Sequence, residues 1–267
     1  MIHVALAGAS GRMGRQVLEQ LLTATDLRLV GALESPRNPE LGTDAGALVG
    51  RPTGVRLTDD VRKALDKAQV CVDFSAPDAT ASVLRAAAER GIACVVGTTG
   101  LTDEARAAIE EASAKVAVVA APNMSVGVQA LGQLLREAIS LLGPGFDIEI
   151  IEAHHKHKAD APSGTALRLL EIATASREQA SAESVAKHGR KGSHTQRTQG
   201  EIGVHAVRGG DIVGDHTIVL AGEGERIELV HRATSRAVFA AGALRAARWA
   251  VGQPAGRYGM GQVLGLR

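Results

Sequence analysis

The sequence predicts an α/β protein: an N-terminal Rossmann-like parallel sheet, followed by a second α+β domain built on a mixed sheet. Three observations carry this. Short apolar runs alternate with Ala-rich amphipathic segments through the first half; a glycine-rich turn joins the first strand to the first helix; and beyond residue 200 three strand-like runs follow one another without a helix between them. Strands alternating with helices imply parallel pairing through crossovers, whereas consecutive strands imply an antiparallel or mixed sheet.

The elements follow in order. Ile2–Ala7 is an apolar strand, and residues 12–22 carry Val17, Leu18, Leu21 and Leu22 on one helical stripe. Leu27–Leu33 is the second strand. A short helix is expected over 59–68, a strand over 70–74, and a helix over 80–90 that Gly91 closes, because glycine takes the left-handed conformation cheaply. A strand over 93–97, a helix over 102–115 and a strand over 116–120 complete the alternation. Beyond Asn123 the pattern changes to a long helix over Val126–Leu142, a longer strand over 146–154 and a helix over 163–174. A polar stretch over 176–200 precedes strands at 202–207, 216–221 and 226–231, and an Ala-rich helix spans 237–251. Residues 187–200 contain three glycines, five Lys, Arg or His within eight residues and no apolar side chain, which reads as a mobile basic loop and a candidate lid.

With 267 residues, 45% of them hydrophobic, the chain can fill one large domain or two ordinary ones. A net charge of +1 gives no electrostatic case for nucleic acid or a membrane surface, and 2% aromatic residues are too few for base-stacking platforms. Cys71 and Cys94 lie in apolar runs without C-x-x-C spacing and are expected to be buried reduced thiols. No leader pattern or membrane-length apolar run is present, so a soluble cytoplasmic protein is expected.

Gly8-Ala9-Ser10-Gly11-Arg12-Met13-Gly14 connects the first strand to the first helix with G-x-x-G-x-x-G spacing. A turn free of Cβ atoms at its tight points brings backbone N–H groups and the helix dipole onto a pyrophosphate. Glu34, about 20 residues on at the end of the second strand, is placed to accept the adenosine ribose hydroxyls. Gly97-Thr98-Thr99-Gly100 and Ala121-Pro122-Asn123-Met124 follow two further strand ends, where ligands of doubly wound sheets bind. Both turns can line the nicotinamide half; Thr98, Thr99 and Asn123 can equally cap the next helices.

The densest chemistry lies in Glu152-Ala-His154-His155-Lys156-His157-Lys158, followed by Asp160-Ala-Pro162-Ser163-Gly164-Thr165. Five cation-capable side chains beside a helix N-terminus suit a small anion that must be protonated. If the strand stays extended to residue 158, His154 and Lys158 share a face; if it ends near His154, that parity fails. A metal held by His154, His155 and His157 is the competing possibility, weakened by the neighbouring lysines and by the divergence of adjacent strand residues.

These segments, with Asp73-Phe-Ser75, Asn123-Met-Ser-Val-Gly127 and Gly209-Gly-Asp-Ile-Val-Gly-Asp-His216, resemble the 4-hydroxy-tetrahydrodipicolinate (dihydrodipicolinate) reductase family over nearly the full length. The resemblance implies an NAD(P)H-dependent reductase of the diaminopimelate route to lysine. In it His154 is the proton donor, Lys158 the second catalytic residue, and His155, Gly164 and Thr165 bind the substrate dicarboxylate. Gly8 to Met13, Glu34, Gly97 to Thr99 and Ala121 to Met124 would bind the cofactor. It further implies a homotetramer joined through the second domain's sheets. Residues 1–124 with the returning segment 235–267 would bind the dinucleotide, and 125–234 would bind substrate and oligomerise. The residue after Glu34 is Ser35, where relatives favouring the phosphorylated cofactor often carry Arg, and Ala76 replaces a further Arg. Dual use of NADH and NADPH, leaning to NADH, is therefore expected. Met124 stands where an aromatic is common and is expected to pack on the nicotinamide side.

Overall fold

The computed structural model describes residues 1–179 and 184–266; residues 180–183 of the polar stretch and residue 267 of the returning segment lie outside the described residues. Internal contacts divide the chain into a first unit of residues 1–126 and 236–267 and a second unit of residues 127–235.

The first unit is a doubly wound sheet. Its elements are β1 (Ile2–Ala7), α1 (Arg12–Leu21), β2 (Leu27–Leu33), a 3-10 turn (Ala45–Val49), β3 (Leu57–Thr58), α2 (Val61–Leu65), β4 (Val70–Asp73), α3 (Pro77–Glu89), β5 (Ala93–Val96), α4 (Asp103–Ser113) and β6 (Ala117–Ala120). The second unit adds α5 (Val126–Leu142), β7 (Asp147–His154), α6 (Gly164–Gln179), β8 (Val185–His188), β9 (Glu201–Arg208), β10 (Gly214–Ala221) and β11 (Arg226–Ala233). The chain then returns to the first unit with α7 (Ala237–Ala250), β12 (Gly256–Tyr258) and α8 (Met260–Val263).

Seven parallel strands in the order β12-β6-β5-β4-β1-β2-β3 form the first sheet. Alternate residues of its central strands face opposite layers, as the period of two requires. Val4, Leu6, Val70, Val72, Val95 and Val119 pack with α1 and α7 on one face. Ala5, Ala7, Cys71, Cys94, Val96 and Val118 pack with α2, α3 and α4 on the other. Helix starts are set locally: Asp60 accepts from Arg62 and Lys63 N–H ahead of α2, and Thr102 Oγ1 accepts from Ala105 N–H ahead of α4. Such caps are worth about 1 kcal/mol each. Cys71 and Cys94 are register partners on β4 and β5, both free and buried; burial pushes the Cys94 thiol up to about 12 and the Cys71 thiol upward too.

The second sheet is mixed, in the order β11-β10-β7-β9-β8; β7, β8 and β9 run parallel while β10 is antiparallel to both neighbours. One face packs Ile148, Ile150, Ile202, Val204, Ile218 and Leu220 against Leu131, Leu135 and Ile139 of α5 and Ala166, Leu169 and Ala173 of α6. The opposite face leaves Ile151, Val207 and Val230 exposed.

Several elements differ from the sequence expectation. α6 runs five residues further than 174, to Gln179, and α2 is confined to Val61–Leu65. β8 lies within the stretch read as polar loop. The basic segment 187–200 is tied down at two points, contrary to a free loop. Arg190 pairs with Glu149 at 2.9 Å and also with Glu201, and Arg197 pairs with Asp147 at 2.8 Å and also with Glu149.

Candidate active site

In the first unit the three turns at the strand carboxyl ends are stitched together around Phe74. Gly8 sits at φ +76°, and a Cβ there would lie 2.4 Å from the Phe74 carbonyl oxygen. A Cβ at Gly14 would lie 2.0 Å from the Gly8 carbonyl, and one at Gly97 would lie 2.2 Å from the Phe74 ring. Each of these glycines therefore permits a close approach that alanine forbids. The Ala121 N–H donates to the Val96 carbonyl at 3.2 Å, joining the third turn to the second strand end.

The cradle fits a dinucleotide. The N-terminus of α1 has no side-chain cap, which leaves its first-turn N–H groups and dipole directed at the turn. Glu34 closes the far side: its carboxylate accepts from Ser10 N–H at 2.7 Å and from Ser35 N–H at 3.1 Å. Asn38 Nδ2 donates to Ser10 Oγ at 2.7 Å, bracing the same turn. The Arg15 guanidinium donates to the Ser10 and Leu48 carbonyls, whereas Arg12 and Arg37 are exposed.

The remaining cofactor candidates divide. Ala9 is fully buried and offers only backbone. Thr98 is buried, its Oγ1 3.4 Å from the Asp73 carbonyl, while Thr99 is exposed; neither caps α4, because Thr102 does. Asn123 Oδ1 accepts from Ser125 N–H at 2.9 Å, a turn-forming role ahead of α5. Met124 is buried. Its side chain is 2% exposed and packs in the core beside α7, where a Cβ on Gly242 would meet the Met124 carbonyl at 1.7 Å. The apolar side chain is thus part of that core.

In the second unit the helix-covered face of the sheet changes from apolar to polar at one end. Along β7 that face carries Ile148, Ile150, Glu152 and His154, so period two turns a core stripe into a site. Glu152 is fully buried, and in register it pairs with His216 of β10 while His154 pairs with Arg208 of β9. The Arg208 guanidinium grips the Glu152 carboxylate through both oxygens, at 2.7 and 2.8 Å, and donates to the Asp160 carbonyl at 2.7 Å. Glu152 also lies 2.7 Å from His154 Nδ1 and accepts from Ser163 N–H at 3.0 Å. Burial opposes its ionisation most, but the bonds from Arg208, His154 and Ser163 outweigh burial and hold the carboxyl below its usual range.

β7 ends at His154, so the extended register to Lys158 does not form. The Lys158 N–H instead donates to the His155 carbonyl, and the turn docks on Gly209 and Gly210 through Gly209 N–H to the His154 carbonyl and Lys156 N–H to the Gly210 carbonyl. Lys158 Nζ pairs with Asp160 at 2.8 Å, which holds that carboxyl low. The His155 and His157 rings lie 6.3 Å apart. Gly164 is exposed and Thr165 partly so at the start of α6, where Ser163 Oγ accepts from Ala166 N–H at 3.2 Å. His216 is buried, 3.2 Å from Ser163 Oγ and edge-on to His154 with ring centroids 5.3 Å apart. Burial and the neighbouring His154 lower its pKa to about 4, so it stays neutral near pH 7. Among the described residues no group of three or more His, Cys, Asp or Glu is gathered for a metal ion.

The sequence reading assigned no role to Glu152, Arg208 or His216. Two were within quoted motifs, and Glu152 lay two residues before His154; only the strand pairing reveals the network.

A doubly wound cradle for a dinucleotide and a separate carboxylate-paired imidazole define a nicotinamide-dependent oxidoreductase. The family models agree: "dihydrodipicolinate reductase, N-terminus" matches residues 2–124, and "dihydrodipicolinate reductase, C-terminus" matches residues 127–264. The chain belongs to the dihydrodipicolinate reductase family. It is 48% identical over 268 residues to the 4-hydroxy-tetrahydrodipicolinate reductase of Anaeromyxobacter dehalogenans, covering 100% of this chain and 99% of that one. It is 49% identical over 266 residues to the same enzyme of Nitrosomonas europaea, with the same coverage. The fold resembles dipicolinate-bound dihydrodipicolinate reductase from Paenisporosarcina sp. TG-14, with a TM-score of 0.76 at 23% identity over 97% of each chain. An amine dehydrogenase from Mycobacterium smegmatis shares the fold with a TM-score of 0.64 at 13% identity, over 96% of this chain and 94% of that one.

Proposed function

We propose that this chain reduces 4-hydroxy-tetrahydrodipicolinate to tetrahydrodipicolinate in lysine and diaminopimelate biosynthesis, as a cytoplasmic homotetramer using NADH in preference to NADPH. The observation that carries the reading is the Glu152-paired His154 beside the α6 N-terminus, in a chain whose first unit is a dinucleotide cradle. Loss of the 4-hydroxyl as water leaves a conjugated cyclic imine. The bound dihydronicotinamide supplies the hydride to that ring, and one proton completes the balance.

This chain's own residues do the rest. The Gly8 to Met13 turn holds the pyrophosphate, Glu34 takes the adenosine ribose, and the backbones at Gly97 to Thr99 and Ala121 to Met124 line the nicotinamide half. N–H groups at Gly164 and Thr165, with His155, bind a substrate carboxylate through the helix dipole. His154 delivers the proton at Nε2, and Lys158 supplies a second acidic group and fixed positive charge. Ser35 and Ala76 stand where relatives favouring the phosphorylated cofactor often carry Arg, so a 2′-phosphate would meet the Glu34 carboxylate with only the exposed Arg12 and Arg37 as candidate counter-charges. The exposed Ile151, Val207 and Val230 support association through the open face of the second sheet.

The test generates the substrate from pyruvate and aspartate semialdehyde with a condensing enzyme and follows NADH and NADPH loss separately. Turnover with both, faster with NADH, is expected. His154→Ala and Lys158→Ala should each lower kcat by roughly 10²-fold or more while cofactor still binds. No oxidation of either nucleotide defeats the proposal, and unchanged kcat in both variants defeats the role assignment.

A further inference from the structure

We infer that Glu152, clamped by Arg208, is a positioning residue that sets the tautomer of His154 and the geometry of the carboxylate-binding turn at once. The inference rests on the proposed function for the identity of the proton donor.

Glu152 has no solvent exposure, yet it meets three partners from three places in the fold: His154 on its own strand, Ser163 ahead of α6 and Arg208 on β9. An ionised carboxylate only accepts hydrogen bonds, so the 2.7 Å contact requires the proton of neutral His154 to sit on Nδ1. Nε2 is then the atom left to take up and deliver the catalytic proton. The ring is held so that Nε2 lies over Gly214: a Cβ there would sit 3.0 Å from it, and glycine leaves that space open. When His154 is protonated, Glu152 is its counter-charge. Arg208 keeps the carboxylate ionised in a buried setting, where an unpaired charge would not persist.

The same carboxylate oxygen that bonds Arg208 Nη2 accepts from Ser163 N–H, and Ser163 Oγ accepts from Ala166 N–H. The start of α6 is therefore fixed by Glu152 and Ser163, which sets Gly164 and Thr165. One buried carboxylate thus couples the acid to the anion site, as second-layer partners do for catalytic imidazoles generally.

The charged or titratable groups around the pair are Arg208 on β9, His216 on β10, His231 on β11, and Lys158 and Asp160 on the following loop. In Glu152→Gln the carbonyl oxygen can still accept from Ser163 N–H. The amide nitrogen can only donate to Nδ1, and the imidazolium loses its counter-charge. The alkaline limb of the kcat profile should therefore move to lower pH, and kcat should fall roughly 10²-fold with KM within about threefold. Glu152→Ala, which also strips the acceptor from Ser163, should raise KM as well.

The decisive measurement is the imidazole nitrogen NMR spectrum of His154 in the substrate-free protein. Neutral His154 is expected with its proton on Nδ1 in the wild type and on Nε2 in Glu152→Gln. A wild-type ring protonated on Nε2, or a folded Glu152→Gln enzyme with an unmoved pH profile, overturns the inference. Because the tautomer is read without substrate, it stands or falls separately from the identity of the donor. The wild-type spectrum suffices even if the variants do not fold.

Discussion

Replacing His216 by glutamine should flatten the acid side of the protein's stability profile. His216 is 3% exposed, and burial, with His154 beside it, lowers its pKa from the usual 6.5 to about 4. Its folded pKa lies below its unfolded one, so the unfolded chain binds the proton first as pH falls. The stability tied to the neutral ring is therefore fully present above about 6.5 and is lost progressively towards pH 4. The whole span corresponds to about 3 kcal/mol, of which about 2 kcal/mol falls between pH 7 and pH 5. Carboxylates held low, such as Glu152 and Glu149, lose their contribution only below their ordinary range, outside this interval. His231, also lowered by burial, titrates in both proteins and cancels. Urea denaturation at pH 7 and pH 5, at equal chain concentration and ionic strength, measures the difference. The wild type should lose about 2 kcal/mol more than His216→Gln between the two pH values. Equal losses would show that His216 titrates normally and would refute the argument that burial keeps it neutral.

Two further substitutions probe the two sites separately. Gly14→Ala places a Cβ 2.0 Å from the Gly8 carbonyl and 2.6 Å from the Ala9 carbonyl, so the turn must open. The Kd for NADH, read from nicotinamide fluorescence, should weaken by roughly tenfold or more; an unchanged Kd would mean the turn does not hold the cofactor. Gly214→Ala fills the space over His154 Nε2 and should lower kcat by roughly tenfold or more with an unaltered cofactor Kd. Wild-type kcat in that variant would show that Nε2 is reached from another direction.

The parallel sheet was readable because its strands are apolar runs with helices between them, buried on both faces, as in Val70–Asp73 and Ala93–Val96. Edge strands gave no such signal. β8 is exposed at all four positions, so Val185–His188 reads as loop, and β12 is only three residues long. The His154 segment stood out by composition, but its geometry did not follow from parity, because the strand ends before Lys158. Glu152 was the hardest to place. Glutamates are seldom fully buried, and its guanidinium partner is 56 residues away, brought close only by the pairing of β7 with β9.

The return of the chain to the first unit has a consequence for biosynthesis. Until α7 emerges, β4, β5 and β6 lack the layer it forms over Val72, Val95 and Val119, along with the Arg248–Asp26 ion pair at 2.6 Å. The second unit, by contrast, is one uninterrupted stretch with its own core. On the ribosome the inserted unit can close its core before the N-terminal sheet it interrupts. That apolar face of the first sheet is thus made well before its cover and stays open to aggregation until α7 is synthesised.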